Sequence, residues 1–382
     1  MYANRMSQLP PYLFARIDEM KARKIQSGVD VIDLGVGDPD LPTPAHIVES
    51  LCESARLTEN HHYPSYAGMP GFRKAVADWY RNRFGVVSDP GKEVLALMGS
   101  KDGIAHIGEA FVNPGDYVLA ASPGYPVYRT GTLFAEGRVH EMPLTAENSF
   151  IPLLEDIPKE VARKSKLLFF NYPNNPTSAV VTSGFFEEVV DFCREYDIVA
   201  VHDNPYSEIA FDGYRAPSFL STDGAMEIGV EMHSLSKTYN MTGWRIGMAV
   251  GNAEVIAGLG RVKTNVDSGV FNAVQHAAIT ALSGSQDCVT DACRVYQERR
   301  DILVKGLRSL GYEVGAPKAT FYVWMAVEDC MSFAARMLED AGIVVTPGIG
   351  FGDGGDGYVR FALTRTKERI GEAIRRMEAI GE

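Results

Sequence analysis

Short β-rich runs alternate with helix-patterned stretches along most of this chain. That alternation restricts it to an α/β fold with a largely parallel sheet. The strand-like runs are Val94–Met98, Tyr117–Ala121, Leu167–Asn171, Ile198–His202, Glu231–Leu235 and Arg245–Val250. Between them, Thr43-Pro44 predicts a capped helix start ahead of Ile47, Leu51 and Ala55, and Phe72, Val76 and Trp79 repeat at helical spacing after Pro70-Gly71. Several runs end in polar or glycine-rich turns: Gly99-Ser100-Lys101, Asn171 to Thr177, His202-Asp203 and Ser234 to Lys237. In an open α/β sheet the ligand sits beyond the carboxyl ends of the strands, so these four turns are expected to converge on one site.

The tail has a different pattern. Cys288 to Leu310 reads as a long amphipathic helix, Phe321–Val327, Ile343–Thr346 and Tyr358–Leu363 as strands, and Lys367 to Ile380 as a closing helix. A length of 382 residues suits more than one domain. The expected division is a large domain over 38–284 and a smaller α/β domain formed by 1–37 with 285–382. Lysine and arginine total 37 against 49 acidic residues, a net charge of −12. This argues against a nucleic-acid or anionic-membrane surface, while local arginines leave room for a small anionic ligand. No run reaches the ~18 apolar residues that span a bilayer, and residues 1–10 lack the apolar stretch of a signal peptide. The five cysteines, Cys52, Cys193, Cys288, Cys293 and Cys330, include no C-x-x-C pair. A cytoplasmic protein with reduced, mostly buried thiols is the expectation.

The segment from Ser234 to Gly247, SLSKTYNMTGWRIG, places Lys237 at the end of an apolar strand among small hydroxyl residues. Burying an ammonium there is costly. An imine with an aldehyde cofactor removes the charge and leaves an amine to act later as a base. Ser234, Ser236 and Arg245 then supply phosphate donors, the arginine with its fork geometry. Taken alone, a lysine after a strand is more often a surface residue. Over these fourteen positions, however, the segment resembles the lysine signature of the class I aminotransferases, and the resemblance runs from about Leu34 to Arg360. It implies pyridoxal-phosphate fold type I (aspartate aminotransferase-like), with a mainly parallel central sheet in the large domain and a smaller α/β domain. It also implies a homodimer with shared active sites, pyridoxal 5'-phosphate as cofactor, and Lys237 as the catalytic residue that carries it as a Schiff base.

The same resemblance assigns tasks to residues that would otherwise have plainer readings. Asp203, in His202-Asp203-Asn204-Pro205-Tyr206, would face the pyridine nitrogen and keep it protonated, where a lone aspartate more often caps a helix. Tyr206 and Asn175 would donate to the ring oxygen. The loop Asn171 to Ser178 resembles the family's N-P-x-N-P-T-G, with Tyr172 where proline is usual and Ser178 where glycine is usual. Ser100 and the Lys101 backbone would form the phosphate cup at a helix start, although a serine there is also a common N-cap. Tyr125 would stack on the cofactor, a core tyrosine being the rival. Tyr63 would reach the phosphate of the neighbouring subunit. Arg360, inside the apolar run Tyr358–Ala362, would clamp the substrate α-carboxylate rather than join an internal ion pair.

In particular the chain resembles the LL-diaminopimelate aminotransferases of lysine biosynthesis. The residues behind this are Leu9 to Phe14, Gly35-Val36-Gly37-Asp38, Gly99 to His106 and Gly124-Tyr125-Pro126-Val127-Tyr128. By that resemblance Tyr12, Gly37, Lys101, Tyr125, Asn175 and Arg360 face an amino acid or 2-oxo acid substrate, with Asn265 or Ser268 contributed by the partner subunit. Helix packing for Tyr12 and a tight turn for Gly37 are the plainer readings. A broad-range aspartate, alanine or aromatic aminotransferase is the alternative activity, and a fold type I β-lyase a further one. The glycine-rich stretch Gly348 to Gly354 leads to a strand rather than a helix, which argues against a dinucleotide site. His61-His62 lacks companion ligands at metal spacing, and no metal is expected.

Overall fold

A computed structural model of the chain describes residues 2–9 and 13–381. A short strand β1 (Ile32–Asp33) precedes a seven-stranded sheet of β2 (Val94–Leu97), β3 (Tyr117–Ser122), β4 (Arg138–Pro143), β5 (Ser165–Phe170), β6 (Val199–Asp203), β7 (Gly229–Ser234) and β8 (Gly247–Gly251). Their order across the sheet is β2-β8-β7-β6-β5-β3-β4. The pairs β4–β3, β3–β5, β5–β6 and β6–β7 are parallel, and β8 runs antiparallel between β7 and β2. The sheet is therefore mainly parallel, as the alternating pattern predicts. β4 was not among the expected strands. It mixes polar with apolar residues at the sheet edge and buries only Met142, so it lacks the apolar run that marks an inner strand.

Helices cover both faces because successive residues of the inner strands point to opposite sides. In β5, Leu168 and Phe170 join one core with Phe72, Val76 and Phe186, while Leu167 and Phe169 join the other with Ile104, Val201 and Leu259. The helix Pro70–Phe84 opens on proline at its first position and stops at Gly85, whose φ of 74° is left-handed. The helix Ala45–Ala55 starts as expected after Thr43, but Thr43 does not cap it. Its hydroxyl donates instead to the Asn240 carbonyl at 2.7 Å, tying this corner to the lysine segment.

The tail folds around another core. β9 (Tyr322–Ala326), β11 (Thr346–Pro347) and β12 (Tyr358–Ala362) form an antiparallel sheet, whereas β10 (Ile343–Val344) pairs in parallel with β1. The single strand expected over Ile343–Thr346 is thus two, because the chain changes partners at Val345. The helix Asp287–Ser309 places Val289 in the first core and Tyr296, Leu303 and Leu307 in the one beneath β9 and β12. All five cysteines are unpaired. Only Cys193 and Cys330 are buried, fewer than expected, with Cys288 and Cys293 half-buried and Cys52 exposed. Among the described residues no helix is long and apolar enough to cross a membrane.

Candidate active site

At the carboxyl end of β7, the Ser234 hydroxyl accepts from the Ser236 N–H at 3.2 Å and starts the helical turn Leu235–Thr238. That turn presents Lys237. Its Nζ donates to the Gly37 carbonyl at 2.8 Å and lies 5.5 Å from the centre of the Phe321 ring. Burial lowers the Lys237 ammonium to about 8; Asp38 opposes the shift, and Arg360 and Arg245 add to it. Gly37 has to be glycine here, since a Cβ would overlap the Tyr322 hydroxyl.

Because β8 is antiparallel, its beginning lies at the edge where the parallel strands end. Arg245, just before it, therefore reaches the same edge. Nη1 donates to the Thr242 carbonyl at 2.9 Å and Nη2 to that of Met98 at 3.1 Å. The guanidinium folds over Gly99, where a Cβ would collide with it and where φ is 82°. Gly99 caps the helix Ser100–Phe111, so Arg245 stands beside free backbone N–H groups at a helix start. This is an anion cradle with Ser100 inside it and the Lys101 side chain exposed.

β6 ends in Asp203. Its Oδ2 accepts from the Tyr128 hydroxyl at 2.8 Å, whereas Oδ1 is buried and has no partner. Burial pushes Asp203 up to about 6; the Tyr128 hydrogen bond and neighbouring His202 pull it back down. A buried carboxylate oxygen left unpaired costs free energy that a bound N–H would recover. Beneath Asp203, His202 sets Nδ1 2.9 Å from Glu231 and Nε2 3.0 Å from the Tyr172 carbonyl. Glu231 also accepts from Tyr80, Asn204, Ser218 and the Phe219 N–H. Burial would raise Glu231, but the hydrogen bonds from His202, Asn204 and Ser218 outweigh it and hold the carboxyl low. Asn171 joins the β5 and β6 ends: Nδ2 donates to the Asp203 carbonyl at 2.6 Å and Oδ1 accepts from the Asn175 N–H at 2.7 Å.

Arg360 of β12 is buried. It donates from Nη1 to Asn175 Oδ1 at 2.7 Å and from Nη2 to the Gly35 carbonyl at 2.8 Å. Its guanidinium carbon lies 4.0 Å from the Tyr322 ring centre and 4.7 Å from that of Phe351. Among the described residues its hydrogen bonds run to an amide oxygen and a backbone carbonyl rather than to a carboxylate, and Nε has no partner. Burial lowers the Arg360 pKa. A buried, uncompensated guanidinium is stabilised by an anion brought in from outside.

The expected residues fall into three groups. Gly37, Asn175, Asp203, Tyr206, Lys237 and Arg360 are linked through shared contacts, with the Tyr206 hydroxyl 3.1 Å from that of Tyr322. Tyr125 adjoins this group through Tyr128, edge to face at 5.9 Å. Ser100, Lys101, Ser234, Ser236 and Arg245 surround the cradle and the lysine turn, and the Ser236 hydroxyl is buried without a partner. Tyr63 is 88% exposed, and Asn265 and Ser268 are exposed too; the Asn265 amide donates to the Arg261 carbonyl of its own helix rather than to a site residue. Tyr12 lies outside the described residues. Sequence reasoning missed Tyr128, Asn171 and Tyr322 as site residues. Tyr128 carried a signal, at the start of the helix Val127–Phe134 three positions after Tyr125; Tyr322 carried none, being one aromatic in an apolar strand.

The donor set suits pyridoxal 5'-phosphate. Asp203 Oδ1 awaits a ring N–H, the Arg245 cradle suits a phosphate, and the Lys237 amine suits an aldehyde. The model of the class I and II aminotransferases matches residues 29–377. An LL-diaminopimelate aminotransferase of Desulforudis audaxviator is 57% identical over 378 residues, spanning 98% of this chain and 96% of that protein. The protein of that name from Aquifex aeolicus is 53% identical, spanning 99% and 98%. Among solved structures, substrate-bound BacF of Bacillus subtilis superposes with a TM-score of 0.96 at 36% identity over 100% of this chain and 98% of the other. A mutant aspartate aminotransferase of Thermus thermophilus gives 0.93 at 29%, over 100% and 99%.

Proposed function

This chain belongs to the class I and II aminotransferases, and we propose that it moves the amino group of LL-diaminopimelate to 2-oxoglutarate with Lys237 as its catalytic residue. Transamination with pyridoxal 5'-phosphate follows from the family; the donor rests on full-length relatives of that name at 50–57% identity. The observation that carries the chemistry is the linking of an amine with a lowered pKa, an unpaired Asp203 oxygen and an uncompensated Arg360 through one set of side-chain contacts.

Bound, the cofactor supplies an electron sink for the electrons released when the α-proton leaves. Asp203 Oδ1 would hold the ring-nitrogen proton, and the Tyr128 hydroxyl fixes that carboxylate's orientation. Arg245, Ser100, the Lys101 backbone, Ser234 and Ser236 would take the phosphate, and Asn175 and Tyr206 the ring oxygen. Tyr125 would stack on the ring. Arg360 would grip the α-carboxylate and so present the Cα–H toward Lys237, whose amine, when free and neutral, would take that proton and hold it at Nζ for return. Gly37 and Lys101 would line the remainder of the substrate path, and the family resemblance adds Tyr12 as a further substrate contact.

The division into 38–284 and 1–37 with 285–382 puts these groups between two bodies. A homodimer, cytoplasmic in location, completes each site with the neighbouring subunit's Tyr63 and either its Asn265 or its Ser268; the exposure of all three supports this. The test is 2-oxoglutarate-dependent turnover of the purified holoenzyme with LL-diaminopimelate, aspartate, alanine and phenylalanine. LL-diaminopimelate is expected to give the highest kcat/KM. A faster aspartate or phenylalanine refutes the donor, and pyruvate release without an acceptor refutes the transfer.

A further inference from the structure

Two residues 142 positions apart, Ser178 and Thr320, both hold left-handed backbone, with φ of 60° and 67°. Left-handed backbone is unfavourable for any residue with a Cβ and worst for a β-branched one such as threonine. Both are buried, Ser178 at 7% and Thr320 at 0% exposure. Ser178 also stands where the loop's resemblance leads one to expect glycine, the residue that bears this conformation without strain. Something must offset the cost.

The offset is a closed hydrogen-bonded ring. The Tyr322 N–H donates to Thr320 Oγ1 at 3.1 Å, the two hydroxyls lie 2.7 Å apart, and the Ser178 hydroxyl donates to the Tyr322 carbonyl at 2.9 Å. With the Ser178 hydrogen committed to that carbonyl, the Thr320 hydroxyl must donate to Ser178 Oγ. The loop that carries Asn175 is thus fastened to the strand that carries Tyr322. These are the two groups between which the Arg360 guanidinium sits, Asn175 bonding Nη1 and the Tyr322 ring lying beneath it. Asn175 is only three residues from Ser178, and Tyr322 two from Thr320.

The geometry points to Ser178 and Thr320 as positioning residues that set the spacing of Asn175 and Tyr322, and thereby aim Arg360 at the carboxylate of the substrate. This rests on the reading of Arg360 as the carboxylate clamp. A purely structural strap would change stability alone; a positioning strap changes carboxylate affinity selectively.

Ser178→Gly removes the hydroxyl and relieves the strain, whereas Ser178→Ala removes the hydroxyl and keeps it. In the holoenzyme both are expected to raise KM for LL-diaminopimelate and for 2-oxoglutarate about 3- to 10-fold, the size of one or two lost hydrogen bonds, with kcat little changed. Binding of maleate, a non-reacting dicarboxylate, measured by calorimetry, should weaken by a similar factor. Affinity of the cofactor-free protein for pyridoxal 5'-phosphate should hold. Ser178→Gly should melt no lower than Ser178→Ala, so the KM effect stays readable if the alanine variant fails to fold. Arg360→Lys is the control. If it raises KM and weakens maleate while Ser178→Gly does neither, the strap is refuted. If Ser178→Gly loses cofactor affinity as much as maleate affinity, the ring serves the loop as a whole and the inference is overturned. If Arg360→Lys itself leaves KM and maleate binding intact, the clamp reading is what has failed, and the strap falls with it.

Discussion

Replacing Lys237 by methionine should stabilise the cofactor-free protein. The ammonium falls from an ordinary 10.5 to about 8, mainly through burial, which corresponds to roughly 3 kcal/mol of cost to the folded state at neutral pH. Methionine has similar volume and no charge, so the penalty disappears with little cavity. The hydrogen bond from Nζ to the Gly37 carbonyl is lost as well, worth about 1 kcal/mol. The net gain at pH 7 is therefore about 2 kcal/mol, trimmed somewhat because Lys237 keeps partial solvent access. The pH dependence follows from proton binding. Below pH 8 the lysine is charged in both states and the penalty is complete. Between about 8 and 10.5 the folded protein has released a proton that the unfolded chain still holds, so wild-type stability rises relative to the variant. Above that window the order reverses by the lost hydrogen bond. Urea unfolding of both cofactor-free proteins at pH 7, 8.5 and 10, at matched concentration, measures the gap. Equal stability at pH 7, or a gap that widens with pH, would refute the account of Lys237 as a buried amine held against its own ionisation.

Asp203 titrates near 6 because burial raises it, so the wild-type affinity for pyridoxal 5'-phosphate should weaken as pH falls through about 6 and the carboxyl takes up its proton. Asp203→Asn should bind more weakly at pH 8 and lose that dependence; fluorescence titration of the cofactor-free protein checks both. Glu231→Ala leaves Tyr80, His202, Asn204, Ser218 and the Phe219 N–H without their acceptor. The expected loss in denaturant unfolding is about 3–5 kcal/mol, and a loss below about 1 kcal/mol would contradict the network.

Much of the site was legible because strand–turn–helix junctions write their signals locally. Lys237, Arg245, Ser100 and Asp203 each lie within a few residues of a strand end, where a polar or glycine-rich turn breaks an apolar run. Arg360 was legible for the opposite reason, a charge within an apolar strand. Partners brought in from elsewhere left no such trace. Tyr322 meets Arg360 only because β9 and β12 pair with Arg360 opposite Trp324, and Tyr128 meets Asp203 across 75 positions of chain. Thr43 was misread because its nearest backbone acceptor is 197 residues away rather than in its own helix. β4 was missed since an edge strand need not be apolar on both faces.

The helix Asp287–Ser309 belongs to neither core alone, burying Val289 in one and Leu303 and Leu307 in the other. Melting either core would strip apolar cover from part of a rod that the other still needs. The rod makes the two cores cooperative: heat should take them down in one calorimetric event, and a lesion far out in the tail would be felt at the lysine as lowered melting rather than as altered chemistry.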